Sequence, residues 1–311
     1  MEPVTEALWI AFAIVVGALL LLDLAVFNRR SHAPTLREAG VWSAFLVAVA
    51  LSFGVVVLAV RGLRPGLEYF TGYLIELSLS VDNLFVFILI FEYFAVPGAL
   101  RPRVLKWGIF GAMIMRGIMI LAGALLLERF SWIIYVFGGV LVLTGWKMWA
   151  MEEIRIQPER NPLVRLARRL LPMSDSYDGQ RFFCRQARRV VATPLLLVLL
   201  VVEWSDLVFA IDSIPAIFAI TRDPFIVYSS NVFAVLGLRA LFFLLAGALD
   251  RFCYLKPAVA LILVFVGLKM VLSHWLHVPI GLSLGIVLGA LAGAVILSLR
   301  RERRISGSPS A

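Results

Sequence analysis

A chain of 311 residues that is 61% hydrophobic and only 16% charged departs from an ordinary soluble domain, which carries about 45–50% apolar and about 25% charged residues. Its mean hydropathy of +0.95 places it among membrane proteins, and its formal charge of +9 lies in short connections between apolar stretches, which argues for membrane topology and against a nucleic-acid partner. Three histidines and two cysteines cannot assemble an imidazole-rich or thiolate-rich metal site, and Cys184 and Cys253 read as free thiols.

Crossing the roughly 30 Å hydrocarbon core takes about 20 apolar residues in a helix. Nine stretches qualify, near 4–27, 40–61, 67–95, 104–127, 131–151, 191–221, 224–249, 255–275 and 278–299. The first is expected to remain as a span. Its flank carries Glu2 and Glu6 in place of basic residues, and it runs into Asn28-Arg29-Arg30, unlike a cleaved signal peptide. With the N-terminus outside, the inner connections hold 21 of the 29 Lys and Arg, and the outer ones only Arg61, Arg64, Arg129 and Arg222. That asymmetry predicts N-outside, C-inside. In the single long connection, 152–190, Leu163, Leu166, Ala167, Leu170 and Leu171 recur at helical spacing among arginines. This suits either an amphipathic helix on the inner leaflet or a solvated basic linker.

The chain repeats itself. Phe110–Arg116 matches Phe233–Arg239, and Leu-Ala-Gly-Ala-Leu follows both. Arg129-Phe130 precedes Lys147-Met148 by the spacing with which Arg251-Phe252 precedes Lys269-Met270. Glu76 and Asp82 are spaced like Asp206 and Asp212. The expected organisation is two N-terminal helices (1–66), a first three-helix repeat (67–151), a basic linker (152–190), a second repeat (191–275), and a last helix with a basic tail (276–311). An odd number of spans per copy makes the two copies inverted, an architecture that places a transport site at their midplane interface.

Charged residues inside a bilayer cost at least ~2.5–3.5 kcal/mol each on insertion scales and mark function by default. The deep ones are Glu76 and Asp82 in span 3, Glu203, Asp206 and Asp212 in span 6, and Arg116 and Arg239 in spans 4 and 7. Five acids against two bases must bind a cation, carry protons, or both. The arginines read first as counter-ions, and Lys147 and Lys269 as snorkelling to the interface. Glu76 and Asn83 share a helical face, as do Asp206 and Ser213. Asp82 joins Glu76 only if span 3 is interrupted, and in span 6 Pro215 removes the hydrogen bond to the Ile211 carbonyl. Carboxylates with Asn83, Ser80, Ser213 and freed carbonyls form a hard-oxygen set suited to Mg²⁺, Ca²⁺ or Mn²⁺. The Gly-x-Gly-Asp segment of intramembrane aspartic proteases does not occur at Asp82 or Asp212, so no enzyme activity is expected. Asp23, Glu92 and Asp250 read as surface residues at span ends. In span 9, Gly281, Gly285, Gly289 and Gly293 form a flat stripe assigned to packing or homo-oligomerisation.

The segments Gly72-Tyr-Leu-Ile-Glu-Leu-Ser-Leu-Ser-Val-Asp-Asn83 and Glu203-Trp-Ser-Asp-Leu-Val-Phe-Ala-Ile-Asp-Ser-Ile-Pro215 resemble the TerC (tellurium-resistance) family. So do Leu22-Asp23-Leu24, Ser229–Arg239 and Gly267-Leu-Lys269-Met. The resemblance implies an all-α bacterial inner-membrane protein of LysE-superfamily-like fold. It also implies manganese efflux, and further the loading of manganese onto proteins during secretion. By motif match the family's acids fall on Glu76, Asp82, Glu203, Asp206 and Asp212, with Asn83 and Ser213 beside them. Ser229 stands where the family is expected to carry threonine, which keeps the hydroxyl. An anionic tellurite would be repelled by such a cavity. The expected activity is therefore export of Mn²⁺ in exchange for protons, with no tightly bound cofactor. The expected partners are the metal ion, the lipid bilayer and, in secretion, exported proteins or their machinery. Two rivals remain: a carrier of a small cationic organic solute, and a membrane-protein assembly factor.

Overall fold

The computed structural model describes residues 3–28, 35–130, 132–150, 166, 169, 172–174, 176–186, 189–245, 254–272 and 278–306. These form nine helices and one hairpin: α1 (Pro3–Asn28), α2 (Leu36–Arg61), α3 (Leu63–Tyr93), α4 (Arg101–Arg129), α5 (Ile133–Ala150), β1 (Phe183–Gln186), β2 (Arg189–Ala192), α6 (Pro194–Phe218), α7 (Pro224–Leu245), α8 (Leu255–Val271) and α9 (Ile280–Ser306). Seven of them, all but α3 and α8, are long and apolar enough to cross a bilayer. Helix α3 has the length, with 31 residues, and carries Glu68, Glu76, Asp82 and Glu92 within an otherwise apolar run. Helix α8 is apolar, with 17 described residues. The chain is thus an all-α polytopic membrane protein.

Local chemistry sets the helix ends. At the start of α2, Thr35 and Glu38 form a capping box: the Thr35 hydroxyl accepts from the Glu38 N–H, and the Glu38 carboxylate accepts from the Thr35 N–H at 2.9 Å. This satisfies two amides that lie ahead of the first helical hydrogen bonds. Helices α2 and α3 meet at Gly62, whose φ of 93° needs a residue without Cβ. At the start of α7, Asp223 accepts from the Phe225 N–H at 2.9 Å and pairs with Arg61 at the end of α2.

Helix α7 is the most enclosed span, packed against α3, α2 and α4. Four rings from three helices, α1, α2 and α7, knit this part together. Phe12, Phe53, Phe225 and Phe233 lie with centroids 5.0–6.3 Å apart, the spacing at which edge-on and tilted aromatic pairs attract. The surface facing away from the bundle is apolar, with Ile114, Ile118, Leu121, Leu143 and Trp146 exposed, as lipid contact requires.

The most extensive helix pair is α5 with α8, and glycine makes it possible. A Cβ at Gly145 would stand 2.8 Å from the Ala260 carbonyl oxygen, and one at Gly267 would stand 2.7 Å from that of Gly138. The two backbones therefore touch directly, as small residues allow between membrane helices, where van der Waals contact replaces the hydrophobic effect. Gly145 and Gly267 are 122 residues apart, as are Gly138 and Ala260, so the two contacts exchange when the proposed copies are exchanged. The span 9 stripe behaves differently. A Cβ at Gly281, Gly285, Gly289 or Gly293 meets nothing within 4 Å, which corrects its assignment to packing within the chain.

Two further expectations change. Neither acidic helix is interrupted: α3 runs unbroken from Leu63 to Tyr93, and α6 continues past Pro215 to Phe218. Pro215 lies in the last turn of α6, where a missing N–H costs one bond and leaves the axis intact. The 152–190 connection is also not wholly a linker. Most of its expected amphipathic helix lies outside the described residues, but β1 and β2 pair antiparallel, with Cys184 opposite Val191. Around them Ser174 N–H donates to the Ala192 carbonyl, and Ala192 N–H to that of Pro172, both at 2.8 Å. The Tyr177 hydroxyl donates to the Phe94 carbonyl at 2.7 Å, and the Arg103 guanidinium lies 5.4 Å from the Phe182 ring centre. This small unit rests on the α3–α4 turn. Burial raises the Tyr177 hydroxyl above the usual phenol pKa.

Candidate functional site

Three helices deliver the charges to one point. Glu76 stands near the middle of α3, Arg116 near the middle of α4 and Asp206 near the middle of α6. Arg116 and Glu76 are fully buried, and Asp206 is 2% exposed. The Asp206 carboxylate takes the guanidinium in a fork. Nη2 donates to Oδ1 at 2.9 Å and Nε to Oδ2 at 3.1 Å, the bidentate geometry that makes arginine–carboxylate pairs strong. Nη1 donates to Glu76 Oε1 and, at 3.3 Å, to Asn231 Oδ1 on α7. One cation thus neutralises one carboxylate and leaves the trio with a formal charge of −1.

Around this trio buried polar atoms stand without hydrogen-bond partners: Glu76 Oε2, Ser80 Oγ, Asn83 Nδ2, Ser213 Oγ and Asn231 Nδ2. Glu76, Ser80 and Asn83 are four and seven residues apart on α3, so they line one face. The Ser213 hydroxyl lies beside the Glu76 carboxylate but off hydrogen-bonding geometry. An unpaired buried polar group typically costs ~1–3 kcal/mol. Water or an ion from outside the chain can complete such a cluster. A narrow cleft lined by Phe87, Leu105, Gly108, Ala112 and Val202 reaches Asp206 along the first turns of α4.

The sequence-derived set is therefore brought together in part. Glu76 and Asp206 converge on Arg116, Ser213 lies beside Glu76, and Ser80 and Asn83 are buried further along the Glu76 face of α3. Glu203, half-buried one turn before Asp206, faces α4, where a Cβ on Gly111 would overlap its carboxylate. Arg239 is buried and partnered on α7. Asp82 and Asp212 lie on α3 and α6, but their side chains fall outside the described residues. Among the described residues no three acids, histidines or cysteines gather as a metal-binding group. Lys269 lies in the last turn of α8. It is partly buried and donates to Ser283 on α9 at 3.0 Å.

Sequence reasoning missed Asn231 and Gly111. Asn231 falls inside the Ser229–Arg239 segment, where its polar side chain in an apolar span was the available signal.

A multi-pass bundle with buried, opposed charges from separate helices defines a transporter-like membrane protein. The model of the integral membrane protein TerC family matches residues 61–306, and the chain belongs to that family. It is 50% identical over 299 residues to an uncharacterized membrane protein of Myxococcus xanthus, covering 96% of this chain and 94% of that one. To the putative membrane-bound redox modulator Alx of Escherichia coli K12 it is 47% identical over 303 residues, covering 94% of each. An uncharacterized membrane protein of Rickettsia felis is 39% identical over 297 residues, covering 96% of this chain and 99% of that one. No solved structure matches the chain.

Proposed function

We propose that this protein exports a divalent metal cation, Mn²⁺ foremost, across the bacterial inner membrane in exchange for protons, at the midplane site around Glu76. The observation that carries the reading is the meeting of Glu76 and Asp206 on buried Arg116, with buried, unpaired polar atoms of Ser80, Asn83, Ser213 and Asn231 on the same helices α3 and α6 and on α7. Oxygen ligands of this kind suit a hard cation. The same carboxylates take protons when the metal leaves, which couples the two fluxes. The exchange symmetry of the Gly145–Ala260 and Gly267–Gly138 contacts supports an inverted repeat, and with it alternating access to one central site. The excess of basic residues in alternate connections supports an N-outside, C-inside orientation in the inner membrane.

Mn²⁺ uptake by inside-out vesicles, with and without a pH gradient, tests the reading. Wild type should accumulate Mn²⁺ and dissipate the gradient. Glu76→Gln, Asp82→Asn and Asp212→Asn should each abolish uptake at normal protein level. Normal uptake in all three variants would remove the site from the mechanism.

A further inference from the structure

We propose that Arg116 is the resident cation of the unloaded site, anchored by Asp206 and competing with the transported ion for Glu76. The inference rests on the metal-exporter reading and divides the labour within it: Glu76 is the ligand that changes hands, and Asp206 positions the guanidinium.

The hydrogen bonds are unequal in a way that assigns these roles. Asp206 holds Arg116 through both carboxylate oxygens and two guanidinium nitrogens. Glu76 uses one oxygen on one nitrogen, and that nitrogen is shared with Asn231. The single-armed partner is the easier to release. Its second oxygen, Oε2, is buried and without a hydrogen-bond partner, and the Ser213 hydroxyl lies beside the carboxylate. An ion arriving at that oxygen meets an acceptor already free, with Ser80 and Asn83 on the same face of α3. If Glu76 then swings from Arg116, the Arg116–Asp206 pair remains whole and neutral, so no bare charge is left in the bilayer.

Competition with a guanidinium also sorts cations. At equal distance a divalent ion is attracted to the Glu76 carboxylate twice as strongly as a monovalent one. A hydrated Na⁺ or K⁺ offers no gain over the fixed charge already bound there and must shed water to take its place. Arg116 thereby sets a threshold that a monovalent ion does not cross. It also lowers the apparent affinity for the divalent ion, because only the fraction of sites with Glu76 released can bind. Release benefits in the same measure, since Arg116 recaptures Glu76 as the ion leaves.

Arg116→Lys tests this in the purified full-length protein, because lysine keeps the charge but loses the planar fork. Binding of Mn²⁺ is titrated in detergent with MnCl₂, and transport is measured in liposomes in the presence and absence of Na⁺. The expected result is a folded variant whose half-saturating Mn²⁺ concentration falls about tenfold, whose maximal rate falls, and in which Na⁺ now inhibits. A folded Arg116→Lys protein with wild-type half-saturation, rate and Na⁺ insensitivity overturns the inference. Failure of Arg116→Lys to fold overturns it as well, since a resident cation must be replaceable by another cation. Wild-type transport should be unaffected by Na⁺, and Na⁺ inhibition of the wild type would also count against it. Wild type that neither binds nor moves Mn²⁺ defeats the proposed function itself. Wild type that does both, beside an indifferent Arg116→Lys, defeats this inference alone.

Discussion

Removing single charges from the Arg116 trio should destabilise the protein in a fixed order. Arg116→Gln leaves two carboxylates, Glu76 at 0% and Asp206 at 2% exposure, facing each other without a cation. Breaking a buried ion pair by deleting one partner costs about 3–5 kcal/mol, and here two pairs lose the same partner. Glu76→Gln instead leaves the forked Arg116–Asp206 pair intact and neutral. It exchanges one charged hydrogen bond for a neutral one, a loss of about 1 kcal/mol. Asp206→Asn loses the fork but keeps Arg116 paired with Glu76, so it should fall between them at about 1–3 kcal/mol. Thermal unfolding in one detergent, at neutral pH and without added metal, reads the order directly through the loss of monodisperse protein on size exclusion. The expected ranking is Glu76→Gln, Asp206→Asn, Arg116→Gln, with Arg116→Gln lowest by a clear margin. The double variant Arg116→Gln/Asp206→Asn should recover part of the Arg116→Gln deficit by removing one of the two bare charges. An Arg116→Gln protein as stable as Glu76→Gln would refute the electrostatic account of this cluster.

Gly267→Ala should destabilise by about 1–3 kcal/mol, because its Cβ would stand 2.7 Å from the Gly138 oxygen, whereas Gly285→Ala should be neutral; equal melting of the two variants would deny the contact. Tyr177→Phe removes the bond to the Phe94 carbonyl and should make the 172–193 unit more sensitive to limited proteolysis by about 1 kcal/mol of opening free energy, with unchanged cutting as the contrary result. A reporter inserted near Asp178 should be cytoplasmic; periplasmic labelling there would overturn the charge-based orientation and the inverted-repeat reading together. Gly111→Leu should abolish the close fit against Glu203 and depress transport while leaving the α5–α8 contact and the stability of detergent-purified protein near wild type; full transport would remove Glu203 from the pathway.

Much of this was legible in the sequence for physical reasons. A carboxylate in an apolar run has a high cost, so Glu76, Asp206 and Arg116 announced themselves before any contact was known, and their matched spacing across two halves tied them to one site. Composition also identified the spans, α3 among them, because its acids sit within an otherwise apolar run. Other features were out of reach. Glycine spacing alone could not say which glycines face a neighbour. The regular stripe of α9 looks outward, while the irregular trio Gly138, Gly145 and Gly267 brings helix backbones together. The β1–β2 hairpin was missed because its strands are four residues each and sit in a segment dominated by arginine, where charge obscures alternation. The continuity of α6 through Pro215 was missed because proline breaks a helix only where another turn must follow.

The contact between α5 and α8 has a mechanical consequence. Most helix interfaces meet through side chains, whose torsions absorb small displacements, so such helices slide past one another by fractions of an ångström without separating. Where Gly145 meets Ala260 and Gly267 meets Gly138, main chain rests on main chain, and no torsion remains to take up slack. The two helices behave as one beam. Any motion that opens the bundle first to one side and then to the other must pivot around that beam and be accommodated among α3, α4, α6 and α7, the four helices whose side chains build the charged centre.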